Sequence, residues 1–242
     1  MNLLTDLAAR VPSRWLIWQG LPGLIFLGVA VVGGHLGYRA AIDRYAAVHY
    51  LSTLAERADR FSTAEMAIAA ALVVVLAAAV GQAAAAVAIG VELVVLRRRT
   101  RLTSALRRME EQFRTHYLLD VATVWPHLWL QLPQEHRDSA VAARTRIRLA
   151  ATTIGWGLLT ACIAAVWPPA WLPTLLVLAV GCMQLRLAIA GYARTISAMV
   201  RRYTPPLATA LGVDHDGLLN RALGRALQYH LQFDEMPRRT GR

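Results

Sequence analysis

The side chains that could catalyse a reaction or bind a metal are few in this sequence and lie far apart. Its seven histidines include no pair at i and i+4, the spacing that places two imidazoles on one face of a helix. Its two cysteines, Cys162 and Cys182, are expected as small apolar core residues whose depths differ by about 9 Å, too much for a disulfide. The sequence also contains no phosphate-binding glycine loop, G-x-S-x-G sequence or dinucleotide fingerprint. We therefore expect no catalytic, metal-binding or cofactor-binding residues and a protein that is not an enzyme.

Four polar side chains lie inside otherwise apolar stretches, where an unpaired polar group is costly. Gln82 and Gln184 are expected to form a hydrogen bond between two helices, worth about 0.6–2 kcal/mol in a membrane. Glu92 precedes the arginines at 97–99 by five residues, so we predict an ion pair at the membrane boundary, with Arg186 as an alternative partner. Arg186 itself is expected near the inner boundary, where its guanidinium can reach the lipid headgroups.

The composition requires long apolar elements around these residues. All 26 basic residues of the 242-residue chain are arginine and the formal net charge is +11, yet 56% of the residues are hydrophobic and only 17% are charged. A soluble nucleic-acid-binding protein can be as basic but is seldom as apolar, so we expect no nucleic-acid partner. Arginines segregated between apolar stretches are typical of a polytopic membrane protein. Arginine without lysine, together with abundant alanine, indicates a bacterial gene of high GC content.

Four apolar stretches are long enough to cross a bilayer as helices, because a hydrocarbon core of about 30 Å needs about 20 residues. They are 15–38, 66–96, 149–167 and 171–192. The predicted fold is therefore all-α, with four transmembrane helices in one bundle. A cleaved signal peptide is the alternative for the first stretch, and a re-entrant hairpin is the alternative for the last two. Ser62 and Glu65 predict a capping box at the start of the second helix.

The positions of the arginines predict the orientation of these helices. Eleven arginines lie in 97–148 and eight in 193–242, whereas the four in 39–65 are balanced by four acids. By the positive-inside rule both termini face the cytoplasm, with 39–65 as a short outer loop, 97–148 as a cytoplasmic helical loop and 193–242 as a cytoplasmic helical tail. We expect a multi-pass protein of the bacterial plasma (inner) membrane, with an amphipathic arm at 1–14 on the inner surface.

Two patterns in the cytoplasmic loop predict how it packs. A heptad pattern extends the second membrane helix and needs an apolar partner, either the tail of the same chain or another copy. Its members are Leu102, Leu106, Met109, Phe113 and His116. Residues 125–133 carry two tryptophans between two prolines and are too short to span a membrane. They are expected at the inner interface, with Trp125 and Trp129 among the headgroups, or as a plug against the bundle.

The tail is predicted to contain a separate amphipathic helix. Pro205 and Pro206 are expected to break the fourth membrane helix, and Asp214 or Asp216 to cap the last one. Four leucines then recur every four residues and form an apolar face that can dock on a partner. They are Leu219, Leu223, Leu227 and Leu231.

Small residues and arginines suggest two further kinds of contact. Rows of small residues predict close helix packing, within one bundle or in a homo-oligomer. They are Gly33 and Gly37 in the first helix, and Ala77, Gly81, Ala85, Ala86 and Gly90 in the second. A dense run of arginines directly inside the second helix is expected to anchor it and to bind anionic lipid headgroups. Its members are Arg97, Arg98, Arg99 and Arg101.

These features favour a non-enzymatic integral membrane protein. We expect it to anchor or recruit a cytoplasmic protein partner through the basic helical loop and the C-terminal amphipathic helix. The alternative is an oligomeric channel or a transporter component. A membrane-embedded enzyme is the third and least favoured hypothesis, because acids, cysteines and histidines do not converge at one depth in the membrane.

Overall fold

A computed structural model describes residues 20–37, 43–58, 60–97 and 103–234 of the chain. In this part of the chain every regular element is a helix, which confirms the all-α prediction. The elements are α1 (Leu21–Leu36), α2 (Arg44–Ala58), α3 (Thr63–Arg97), α4 (Ser104–His116), α5 (Val121–Gln131), α6 (Gln134–Val166), α7 (Trp171–Ala210) and α8 (Arg221–Asp234). The predicted amphipathic arm at 1–14 lies outside the described residues.

Among the described residues, three helices are long and apolar enough to span a membrane. These candidate spans are Thr63–Val95, Gln134–Val166 and Pro168–Ala210, so the chain is a helical membrane protein by the length and composition of its elements. Helix α1 is apolar but covers only 16 described residues, about 24 Å at the helical rise. The predicted first crossing begins at residue 15, outside the described residues, and four crossings stay a prediction.

The predicted outer loop at 39–65 contains a helix, α2, that the sequence patterns do not indicate. Its first turn is capped by Asp43, whose Oδ1 accepts hydrogen bonds from the Tyr45 and Ala46 amides at 2.9 and 3.2 Å. Helix α3 then begins with the predicted capping box: the Glu65 amide donates to Ser62 Oγ at 3.3 Å, and the Ser62 amide donates to Glu65 Oε2 at 2.8 Å. Reciprocal bonds of this kind satisfy amides that a helix start leaves unpaired.

The chain separates into two compact units. The first unit comprises Met1–Val91 and Ala151–Cys182, and the second comprises Glu92–Ala150 and Met183–Arg242. Helices α3, α6 and α7 each contribute residues to both units.

The first unit is packed through small residues. Within the first unit, the buried positions of α3 are Ala77, Gly81, Ala84 and Ala88. A Cβ atom on Gly155 of α6 would lie 2.6 Å from the Ala84 carbonyl oxygen, and a Cβ on Gly23 of α1 would collide with the carbonyl of Ala77. The backbones of α1 and α6 therefore lie in close contact with the backbone of α3, the kind of packing by which helices associate in a membrane.

Only some of the residues in the predicted rows of small residues pack within this chain. Along α3, the next buried residue after Gly81 is Ala84, and Ala86 is exposed. The reason is that a helix has 3.6 residues per turn, so residues spaced strictly four apart do not stay on one face. Gly90 has open space around it, whereas a Cβ on Gly33 would lie 3.2 Å from Trp167 Cβ. Gly37 does not pack against a neighbour but ends α1, with a φ of 53°.

The first unit exposes many large apolar side chains. Ile68 is 70% exposed and Leu72 is 58% exposed, and every described side chain from 60 to 76 is exposed. Cys162 is exposed as well and Cys182 is half-buried, so the prediction that both are core residues is wrong. Both thiols are free. Such a surface is stable in lipid and costly in water.

The second unit has a conventional core of large apolar side chains. Phe113 of α4 and Leu128 of α5 are buried in one cluster with Val200 of α7 and Leu227 of α8. Met109 joins this cluster and Leu106 packs against it, so the heptad pattern finds its partner in the tail of the same chain. Of the two other heptad positions, His116 is exposed and Leu102 lies outside the described residues.

Two predictions about the tail are wrong. Helix α7 continues through Pro205 and Pro206 to Ala210. The prolines remove only the donors to the carbonyls of residues 201 and 202, which lie on the exposed face, while the burial of Leu207 and Ala208 beyond them stabilises the continued helix. Helix α8 is capped by neither Asp214 nor Asp216. The Leu223 amide donates to Asn220 Oδ1 at 2.8 Å, which makes Asn220 the cap.

Candidate functional site

Glu92, one of the four predicted polar groups, forms an ion pair within the second unit. Its Oε1 lies 3.2 Å from Nη2 of Arg144, a residue of α6 that the sequence analysis did not single out. The alternative partner, Arg186, is therefore wrong. The side chains of the arginines at 97–99 lie outside the described part of the chain, so an ion pair with one of them stays a prediction. Glu92 is 17% exposed and Arg144 is 63% exposed. The largely buried carboxylate is therefore paired with a guanidinium that still contacts water.

The other predicted polar groups lie on exposed faces. Arg186 is exposed on α7, Gln82 is exposed on α3 and Gln184 is exposed on α7. A hydrogen bond between the two glutamines stays a prediction. Among the predicted lipid-binding arginines, Arg97 ends α3, whereas Arg98, Arg99 and Arg101 lie outside the described residues.

The leucines predicted as a docking face are used inside the second unit. Leu223, Leu227 and Leu231 are buried in its core, and Leu219, which precedes α8, packs against the same cluster. They are not available to a partner while α8 holds this position. The side of α8 that faces outward carries polar residues instead.

An open groove of about 910 Å³ in the second unit lies between α4 and α8. Its walls carry both signs of charge and several uncharged polar groups. The lining residues are Arg107, Glu110, Glu111, Arg114, Thr115, Leu118, Asp120, Ala122, Gln228 and Gln232. We call this cleft the charged groove. Its volume is at the upper end of the range of ligand pockets, and its charged lining suits a polar partner.

A tight turn between α4 and α5 positions the walls of the charged groove. Leu118 adopts a φ of 53°, a left-handed conformation that costs a bulky residue about 1–2 kcal/mol. Leu119 then donates its amide to the Phe113 carbonyl at 3.2 Å and is fully buried. Gly224 of α8 lies directly against the Tyr117 carbonyl, where no Cβ would fit. Close packing at Gly224 thus holds α8 against the turn.

Asp120 connects the turn to α5, which it caps, and to α8, through Gln228. Asp120 Oδ1 accepts the Ala122 amide at 3.0 Å and so caps α5. The Asp120 amide donates to Gln228 Oε1 at 3.0 Å, a bond between residues 108 positions apart. The shape of the groove therefore depends on the loop and the tail together.

A second, smaller cavity of about 200 Å³ is lined by aromatic rings and one guanidinium. The lining residues are Trp125, Trp129, Ala140, Val141, Arg144 and Tyr192. We call it the aromatic pocket. The two indole rings lie with centroids 5.8 Å apart and planes inclined at 51°. Both tryptophans were predicted at an interface, but their grouping with Arg144 and Tyr192 depends on helix packing that no local pattern indicates.

The linings of these two cavities contain no histidine and no cysteine. Within residues 20–37, 43–58, 60–97 and 103–234, no group of three or more histidine, cysteine, aspartate and glutamate residues could hold a metal ion. Comparison of the chain with models of known protein families, with curated proteins and with solved structures finds no match.

Proposed function

We propose that this protein is a non-enzymatic integral membrane protein that recruits a cytoplasmic partner protein through the charged groove. One observation carries the proposal: two segments far apart in sequence, the loop containing α4 and the tail containing α8, share a single core. Because that core takes up the leucines of α8, the polar residues of both helices line one open cleft.

The lining of the charged groove defines the chemistry of the partner. Arg107 and Arg114 lie on one face of α4 with Glu110 and Glu111, and Gln228 and Gln232 lie across the cleft. A partner segment with both acidic and basic side chains can pair with these groups. The docking surface is thus polar, in contrast to the apolar face that the leucine pattern alone predicts.

The arginine distribution supports an orientation for this surface. The stretches 97–148 and 193–242, which supply most of the second unit, carry nineteen of the arginines. The positive-inside rule places them in the cytoplasm of a bacterial cell, with both termini inside and four crossings that include 15–38. The helices of the first unit then serve as the anchor.

The packing of the first unit favours an anchor over a pore through a single copy. The buried side of α3 consists of alanine and glycine, and a row of this kind leaves no polar path. Gln82, the mid-helix polar residue, is on the exposed side. The bundle therefore supports a membrane anchor with a close-packed interior.

Site-specific photo-cross-linking in intact cells tests the proposal. A photoreactive amino acid is placed at Glu111 or at Gln232, on opposite walls of the charged groove, and at His230, an exposed residue on the other side of α8. The proposal predicts one discrete cross-linked protein from both groove positions and none from His230. The substitution Arg114→Glu should abolish that product, because it reverses one charge of the groove, whereas Arg146→Glu, at an exposed residue outside the groove, should leave it unchanged.

Two results would contradict the proposal. One is the absence of any cross-linked protein from the groove positions when the variants are present at the normal level in the membrane. The other is the same product from Glu111, Gln232 and His230, since a partner that contacts opposite sides of α8 does not use the groove.

A further inference from the structure

The aromatic pocket holds an arginine whose hydrogen-bonding capacity is mostly unused. Among the described residues, the Arg144 guanidinium makes one contact, through Nη2 to Glu92. The indole N–H groups of Trp125 and Trp129 donate to none of the described residues. A guanidinium has five N–H donors in a planar fork that matches the oxygens of a phosphate. The lining of this pocket thus offers several donors to an oxyanion.

The position of the pocket along α6 relates it to the membrane surface. Arg144 precedes Leu149, where the apolar stretch of that helix begins, by five residues, about 7 Å at the helical rise. Tryptophan, tyrosine and arginine are the residues that membrane proteins place at the headgroup level. Leu130, which follows Trp129 in the chain, is 76% exposed, and Val141, which lines the pocket, is 54% exposed. Exposed apolar side chains of this kind suit contact with acyl chains.

We propose that the aromatic pocket binds the headgroup of a zwitterionic phospholipid, with the phosphate on Arg144 and the ammonium group against the indole rings. The Glu92 carboxylate offsets the Arg144 charge, so the site has no net charge to favour an anionic lipid. The faces of tryptophan and tyrosine rings attract a cation. The volume of about 200 Å³ accommodates a headgroup larger than a phosphate ion.

This proposal depends on the membrane-spanning helices and does not depend on partner recruitment. It also differs from the binding of anionic lipid to the arginines at 97–101, which requires only a high density of positive charge. The Arg144→Gln substitution should leave the cross-links from the charged groove unchanged, so the two proposals can fail separately.

Native mass spectrometry of the purified full-length protein in detergent, titrated with phosphatidylethanolamine, tests the proposal. The wild-type protein should retain a bound lipid, and Arg144→Gln should weaken its affinity roughly ten-fold, the loss expected for one charge-assisted contact. Arg146→Gln is the matched control, because it removes the same charge from an exposed site two residues away, outside the pocket. It should leave the affinity unchanged.

A second variant keeps the charge and fills the cavity. Val141 lines the pocket and is more than half exposed, so Val141→Trp can occupy the space without disturbing the core. We expect it to abolish the bound lipid while the thermal unfolding of the protein is unchanged. This variant tests the pocket even if Arg144→Gln impairs folding.

Two further titrations distinguish the sources of phosphate. Inorganic phosphate should not displace the lipid, because it cannot use the aromatic walls. Phosphatidylglycerol should bind the Arg144-dependent site more weakly than phosphatidylethanolamine. The proposal is overturned if Arg144→Gln and Arg146→Gln have the same effect, if inorganic phosphate displaces the lipid, or if Val141→Trp retains it.

Discussion

The two units of this protein are stabilised by different kinds of contact, although α3, α6 and α7 run through both. In the first unit the buried positions of α3 are alanine and glycine, and its large side chains, leucine, isoleucine and valine, are mostly exposed. In the second unit the core contains Phe113, Leu128 and Leu227, and the cleft between its helices is lined by charged groups.

We interpret this difference as a change of solvent along the same helices. In lipid, the burial of apolar surface yields no hydrophobic free energy, because the solvent is itself apolar. Helices therefore associate through close backbone contact between small residues. In water, the burial of large apolar side chains is the main favourable term. The contrast between the units thus predicts different effects for mutations that are chemically similar.

The largest effect is expected from Phe113→Ala in the second unit. Phe113 is fully buried and lies at the centre of its cluster, and the loss of such a side chain lowers the free energy of unfolding by about 3–5 kcal/mol. Thermal unfolding of the purified protein, followed by circular dichroism, measures the change. Leu218→Ala is the control, because Leu218 is 75% exposed and should have almost no effect. Equal stability of the two variants would refute a core of this kind.

A smaller effect is expected from Gly155→Ala in the first unit, where one added methyl group is harmful. Its Cβ would lie 2.6 Å from the Ala84 carbonyl oxygen, so α3 and α6 must separate at a cost of about 1–3 kcal/mol. Gly90→Ala adds the same group in open space and should be neutral or stabilising. Resistance to unfolding in SDS compares the two. If Gly155→Ala is as stable as Gly90→Ala, the bundle does not depend on backbone contact.

The smallest effect is expected from Asn220→Ala, which removes the cap of α8. Loss of this bond should destabilise the second unit by about 1 kcal/mol. Asp214→Ala and Asp216→Ala, which remove the two residues predicted as caps, should have no such effect. Denaturant titration of the three variants gives the comparison, and a loss confined to an aspartate variant would restore the sequence-based assignment.

Much of the fold could be predicted because the patterns involved are local. The Ser62–Glu65 capping box depends on residues three apart, and the leucines of α8 share a face through the helical period. The heptad residues Met109 and Phe113 indicated an apolar partner, and the tail is the element that provides it.

The remaining features depend on tertiary contacts that no local pattern specifies. Helix α7 continues through Pro205 and Pro206 because Leu207 and Ala208 are buried on the far side of the prolines. Glu92 pairs with Arg144 because α3 and α6 are neighbours in the second unit, whereas sequence distance pointed to 97–99. The charged groove and the aromatic pocket are formed in the same way, by residues from elements far apart in the chain.

The central claim is that one chain folds in two solvents, and cysteine accessibility in native membranes tests it most directly. In a variant in which Cys162 and Cys182 are replaced by alanine, single cysteines are introduced at Leu72 and at Leu218, which are 58% and 75% exposed. Open membrane fragments are then treated with a water-soluble maleimide. We predict rapid labelling of Leu218→Cys and labelling of Leu72→Cys only after unfolding in SDS. Equal labelling of both positions in the intact membrane would contradict the account.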